Sequence, residues 1–246
     1  MAMTTLNSAN EILNRVAAEI GVTPVPDPYA SQNPSFVKMQ YLLNIAGEEL
    51  VEAHPWEQLL KQHQIVTQEG DTGAFALPDD FAYMINQTGW ERSQRVPLGG
   101  PLTSSDWAYL KGRDFSANSL YVSFRFMENK FNVYPDPPAV GLDINFEYMS
   151  NKWVRSSTAD PEFTYSSGVT IGNEVPLFNR TLISRYLKMK MLEASGFDST
   201  KAQDDFNQTF TFLTGTEKGA PILNAGNRTT FPYLGMHNIP DSGYGR

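Results

Sequence analysis

The stretch Asn129–Met149, NKFNVYPDPPAVGLDINFEYM, decides how the middle of this chain folds. FNVYP and LDINFEYM each alternate apolar and polar residues, the period of a half-buried strand. Between them Pro135, Asp136, Pro137 and Pro138 make a stiff turn. Just upstream, in LYVSFRFM, Leu120, Val122, Phe124 and Phe126 share one face, with Tyr121, Ser123 and Arg125 opposite. In LDINFEYM the inward set is Leu142, Ile144, Phe146 and Tyr148. With these two segments flanking the short FNVYP, the pattern predicts a three-stranded antiparallel meander with one apolar face.

The same period of two runs back to about Lys61 and on to Val154. QHQIVTQ, the turn Gly70-Asp71-Thr72-Gly73 and AFALP read as a hairpin, and FAYMINQTGW as a further strand. Thr103-Ser104-Ser105-Asp106 caps a short helix that carries Trp107 and Leu110.

Both flanks of this region are helical. Ser8-Ala9-Asn10-Glu11 fits a capping box, Ile12, Leu13, Val16, Ala17 and Ile20 form an apolar stripe, and Gly21 supplies the left-handed stop. A linker with Pro24, Pro26, Pro28 and Pro34 is extended and stiff. A second helix starts at Asn33 or Ser35, steps through Phe36, Met39, Leu43, Ala46 and Leu50, and ends at His54-Pro55. Helices return at Pro176, where LFNRTLISRYLKMKMLEASG has an apolar face (Phe178, Leu182, Tyr186, Met189) and a basic one (Arg180, Arg185, Lys188, Lys190). The basic face reads as solvated or turned to another subunit. Asp198 or Ser199 caps a last helix with Ala202, Phe206, Phe210 and Leu213 at helical spacing.

After Gly215 the periodicity dissolves. The last residues still carry Ile222, Leu223, Phe231, Tyr233, Leu234, Met236 and Tyr244, too many large apolar groups for a solvated tail, so they are expected to dock on a partner surface. The expected architecture is therefore α+β: a helical bundle formed by N- and C-terminal helices, with an inserted antiparallel β-rich subdomain and an extended C-terminal tail. The expected boundaries are 1–60 and 156–216 for the bundle, 61–155 for the insertion and 217–246 for the docking tail.

Composition limits the chemistry. With 246 residues, 41% hydrophobic and 12% aromatic, a real core is within reach. The absence of cysteine excludes disulfides and thiolate metal sites. The first residues lack the basic start and apolar run of a signal peptide, and no segment approaches the roughly 20 apolar residues that cross a bilayer, so a soluble protein made in a cytoplasm is expected. A net charge of −8 speaks against a surface that grips nucleic acid.

Catalytic motifs are not visible. His54, His63 and His237 lack metal-binding spacing and read as surface or cap histidines. No Walker A, Rossmann or nucleophile-elbow pattern occurs. Asp79-Asp80, Asp136 and Glu48-Glu49 are the candidate carboxylates for acid–base work, but they equally suit a strand opening, a Pro-Asp-Pro-Pro turn and a solvated helix face. The N-x-T triplets at Asn86, Asn179, Asn207 and Asn227 read as coincidence without a secretion signal. Trp56, Trp90, Trp107 and Trp153 read as core or interface anchors.

The order of these elements resembles the head-to-tail adaptors of short-tailed double-stranded-DNA bacteriophages, the connector and tail tubular protein A type. The resemblance lies in Leu77-Pro78-Asp79-Asp80-Phe81, Ser105-Asp106-Trp107, Val133-Tyr134-Pro135, Phe146-Glu147-Tyr148 and the helical pair opening at VPLFNRTLISRYL. It covers roughly residues 8–216, and nothing beyond Gly219 takes part in it. It implies a structural virion protein and no enzyme, with no catalytic residue, cofactor or metal. Such proteins form a ring, usually of twelve copies, at the head–tail junction, assembled in the host cytoplasm. The partners implied are other copies, the portal protein, a tail nozzle or tail-tube protein, and DNA that passes without specific binding; no membrane is involved. Twelve copies at −8 each would carry −96, and acidic walls do not hold phosphate, although repulsion reaches only about 8 Å at physiological salt. On this reading the apolar tail residues dock on the portal, and Tyr134, Pro135, Asp136, Pro137 and Pro138 contact a neighbour or the tail side. The alternatives are a peptidoglycan or glycan hydrolase of the tail using a carboxylate pair, and a receptor-binding tail component.

Overall fold

The computed structural model describes residues 6–113, 122–159 and 162–217. The tail residues Ile222 to Tyr244 named above, with His237, Leu120 and Tyr121, lie outside them. The protein is α+β, with five α-helices and three antiparallel sheets among the described residues.

Helix α1 (Ala9–Glu19) has the expected capping box, with both the Ser8 and the Glu11 side-chain bonds made, and Gly21 follows its end at φ +80°. Helix α2 (Pro34–Ala53) is capped by Asn33, whose side chain accepts from Ser35 N–H, and it stops at His54. Ile12, Leu13 and Val16 of α1 meet Phe36, Met39, Leu43 and Leu50 of α2 in one core. Trp56, whose Nε1 donates to Leu50 O at 2.6 Å, closes that core at the exit from α2.

The β-region departs from the expected meander. Strand β1 (Leu60–Val66) leads to the turn at Gly70–Gly73, but β2 (Ala74–Ala76) does not fold back on it. Strand β3 (Phe81–Met84) stops early, with Gln87 at φ +62°, and β4 (Trp90–Glu91) resumes before a tight return to β5 (Val96–Pro97). In that interruption Thr88 Oγ1 accepts from Glu147 N–H and donates to Ile85 O, standing in for a ladder bond. So FAYMINQTGW makes two short strands. Helix α3 (Ser104–Arg113) follows, with Thr103 Oγ1 accepting from Asp106 N–H.

Strands β6 (Ser123–Met127) and β7 (Lys130–Tyr134) form the expected hairpin, turned by Glu128 and Asn129 at positive φ. Strand β8 (Asp143–Ser150) is not their third member. The other edge of β7 takes β2, while β8 is central in a second sheet with β1 along one side and β3 and β4 along the other. The cause lies in the connection. Thr67 holds its far end, with Gly141 N–H donating to Thr67 O, Leu142 N–H to Thr67 Oγ1, and Thr67 N–H to Leu142 O. This steers β8 beside β1 rather than beside β7. The two sheets face each other: Phe131 of β7 stacks on Phe146 of β8 with ring centroids 4.9 Å apart, and Phe124, Val133, Ile144 and Tyr148 complete the core.

Strand β8 is buried on both faces. Ile144, Phe146 and Tyr148 enter the core between the sheets, whereas Met149, followed by Trp153 and Val154, enters the helical core. A third small sheet comes next, β9 (Val154–Ala159) between β10 (Phe163–Ser166) and β11 (Val175–Pro176), where helix was expected from Pro176. Helix α4 begins only at Arg180, because Asn179 caps it by accepting from Thr181 and Leu182 N–H. Phe178 therefore reaches the helical core from the strand-to-helix connection. Asn44 of α2 clamps the loop after β10: its side chain donates to Val169 O at 3.2 Å and accepts from Val169 N–H at 2.8 Å. Asn44→Ala should cost about 1–2 kcal/mol by urea unfolding, from the loss of two partly buried bonds to one residue.

Helix α4 (Arg180–Ala194) packs against α1 and α2 with Leu182, Ile183 and Leu187, and α5 (Thr200–Glu217) packs on α4. Three of the four basic residues on the α4 face read as solvated or subunit-facing are tied down within the chain. Arg185 donates to Asp205 O and Thr209, Lys188 pairs with Glu19 at 3.0 Å, and Lys190 pairs with Glu49 at 2.7 Å. A basic residue beside α1, α2 and α5 finds partners there, which helical periodicity alone does not reveal.

Candidate functional site

The candidate carboxylates do not converge. Asp79 is exposed, while Asp80 is buried and accepts from Lys61 Nζ at 2.6 Å, Ser150 Oγ at 2.8 Å and Tyr148 OH at 2.9 Å. Burial opposes ionisation of Asp80, yet these three donors outweigh it and hold its carboxyl below the usual carboxylate range. A carboxyl so bonded is a poor proton donor near neutral pH, and its geometry is that of a staple joining β1, β3 and β8.

Glu48 is exposed on α2, and Glu49 is bonded to Tyr186 OH and Lys190. Asp136 is exposed and sits 3.4 Å from Lys111 Nζ. Glu91, which sequence reading passed over, is fully buried and accepts from the backbone N–H groups of Ser93, Gln94 and Asp143. It closes the β4–β5 turn and fastens it to β8, with burial again outweighed by those donors, so its pKa is lowered. His63 lies edge-on to Phe146 at 5.4 Å, and burial lowers its pKa against the pull of Asp80. His54 lies edge-on to Trp56 at 5.0 Å. Among the described residues no group of three or more histidine or acidic side chains could hold a metal ion.

Some large apolar side chains remain on the surface. Helix α2 is bonded on both flanks: Lys38 and Glu49 reach α4 and the residues just after it, while Gln40 donates to Pro28 O and Asn44 holds the β10 loop. Between these flanks and opposite the core face, Val37, Tyr41 and Ile45 point outward, 37%, 71% and 43% exposed. Glu48 and Glu52 continue the same face. The spacing i, i+4, i+8 of those three residues was legible beside the core stripe but had no reader, because a second apolar stripe has meaning only once the first is buried.

At the proline turn, Tyr134 is buried against Trp107, ring centroids 6.4 Å apart, and Pro138 is buried too. Pro135 is half-buried, which leaves Asp136 and Pro137 as the exposed tip. Of the five residues expected to meet a neighbour, only Asp136 and Pro137 are therefore exposed.

A groove of about 840 Å³ opens between β3 and β6, lined by Phe81, Tyr83, Met84, Trp90, Leu98, Phe124 and Phe126, with Asn86 and Gln87 also on its wall. Trp56, Trp107 and Trp153 are buried, whereas Trp90 is 42% exposed at this groove. Sequence reading missed the groove because its two walls belong to different sheets. Among the described residues, no helix is long and apolar enough to cross a membrane. No family model matches the chain, and no curated protein matches it.

Proposed function

We propose that the chain is a subunit of a head-to-tail adaptor of a short-tailed double-stranded-DNA bacteriophage, a structural protein of the virion. In this reading the helices from both ends of the chain form a bundle, with the β-rich part inserted between them. Twelve copies form a ring at the head–tail junction, with the portal protein above and a tail nozzle or tail-tube protein below. DNA passes through without specific binding, and the ring is assembled in the host cytoplasm.

The outward stripe Val37-Tyr41-Ile45 carries the reading. A large aromatic at 71% exposure, flanked by two aliphatic residues on a helix anchored on its other sides, suits a contact between subunits. Closed rings of identical subunits use two unlike faces, and the Asp136-Pro137 tip is the second candidate. The tail residues from Ile222 to Tyr244 are assigned to the portal. A glycan hydrolase has less support, since Asp80 and Glu49 are committed to bonds within the fold.

Mass measurement of the full chain, alone and with purified portal, tests the reading. The expected result is a twelvefold ring, or a monomer that becomes one on the portal. Tyr41→Asp should weaken ring formation by about tenfold or more, because it puts a charge into an apolar contact, while leaving the unfolding midpoint of the subunit unchanged. A stable trimer, or assembly of Tyr41→Asp equal to that of the unaltered chain, would overturn it.

A further inference from the structure

The groove between β3 and β6 has no part in the ring contacts argued above. One of its walls is a strand edge. Among the described residues β3 pairs with β8 alone. Ile85 N–H donates to Glu147 O at 2.9 Å, so Met84, its neighbour in the extended chain and a residue of the groove lining, turns its own N–H and C=O away from β8 toward the open edge. On the facing side the backbone of Phe124 is already engaged: its N–H donates to Gly99 O, and its C=O accepts from Leu102 N–H. At Phe124 that wall therefore offers only its side chain. An open strand edge beside an apolar trough is the arrangement that captures an extended peptide, with backbone bonds giving hold and alternate side chains giving choice.

We propose that the groove is the docking site of the chain's own C-terminal segment TTFPYL, residues 229–234, which adds as a strand to the open edge of β3. Phe231 and Tyr233 lie two apart, so in an extended segment both enter the groove from one face. When those two residues bond to β3, Pro232 falls at the position whose backbone points away, where its missing N–H costs nothing.

Reach is sufficient. Leu213, near the end of α5, and Tyr83, on the groove, pack against the same helical core. The connecting residues 218–228 span up to about 36 Å when extended, against a radius of gyration of about 18 Å for a chain of this length. Charge favours the contact as well. Residues 218–246 hold Lys218, Arg228 and Arg246 against Asp241, a net +2, which leaves −10 on the rest of a chain of net −8. The contact stands whether or not the chain is an adaptor. If it is, docking of the same residues on the portal exchanges them out of the groove, and the free subunit keeps that apolar surface covered until assembly.

The full chain has no cysteine, so paired substitutions can be read without background. Ala82→Cys, on the groove wall, is combined in turn with cysteine at each of positions 230–234 and oxidised with glutathione. The expected result is a disulfide within single chains at one or two of those positions, and none when Ala82→Cys is paired with Asp198→Cys. Hydrogen exchange gives a second reading without cross-links. The Met84 amide should exchange about tenfold or more slowly in the unaltered chain than in the Phe231→Asp/Tyr233→Asp variant. Cross-links formed only between chains would overturn docking in the chain's own groove. Equal exchange of Met84 in the two proteins, with no position cross-linking, would overturn the site altogether.

Discussion

Gly47→Ala is expected to destabilise the chain by about 3 kcal/mol, or roughly 6–12 °C in Tm for a protein of this size. The sign is the reverse of what a helix normally shows. Glycine inside a helix costs about 1 kcal/mol relative to alanine, so the exchange should help wherever there is room. There is none at Gly47. A Cβ on this residue of α2 would lie inside the Trp153 indole, against Cζ2, Cε2 and Cη2. Trp153 cannot retreat, being fully buried and packed on Phe178 with ring centroids 5.8 Å apart. Overpacking against a fixed ring therefore outweighs the gain in helix propensity.

A double-mutant cycle makes the cause measurable. Trp153→Phe withdraws the benzo ring and should cost about 1–2 kcal/mol on its own, but it should recover about 2 kcal/mol in the Gly47→Ala background. Urea unfolding of the four proteins is the measurement. A rise of about 1 kcal/mol for Gly47→Ala alone would mean that α2 and the β8–β9 connection are not in close contact.

Asp80→Ala should cost about 3–4 kcal/mol, because it leaves Tyr148 OH and Ser150 Oγ without their acceptor and breaks the pair with Lys61. Lys61 is 43% exposed and can turn to water, so most of the loss falls on the two hydroxyls rather than on the ion pair. The pH dependence has a fixed sign. Donors hold the Asp80 pKa below its unfolded value, so the unfolded chain binds this proton more readily than the folded one. The contribution is complete above about pH 4 and fades as pH falls through the lower, folded value. Asp80→Asn should therefore be less stable at neutral pH and lose less stability on acidification. Equal acid sensitivity of the two proteins would place the acid response on other carboxylates.

Much of the fold was legible because it is local. The Ser8 and Asn33 caps, Gly21, and the stop at His54-Pro55 are decided by residues within a turn of one another, and the structure has each of them. The apolar stripes of α1 and α2 were likewise readable. The partners of the strands were not. Alternation in LDINFEYM identified an inward face, since Leu142, Ile144, Phe146 and Tyr148 are all buried, but β7 and β8 belong to different sheets. Asp80 was legible as a carboxylate and illegible as a staple, since Lys61, Tyr148 and Ser150 come to it from distant parts of the chain.

The order of residues thus determined the limits of α1 and α2 and the apolar side of β8 that faces the other sheet, because backbone capping and side-chain period act over a few residues. Tertiary structure alone decided that Thr67 draws β8 beside β1, that Glu49 and Asp80 serve the scaffold, and that two walls from separate sheets enclose a groove. An alternating strand is satisfied by any apolar layer it can lie against, so the choice among layers is settled by the connections and packing of the whole chain.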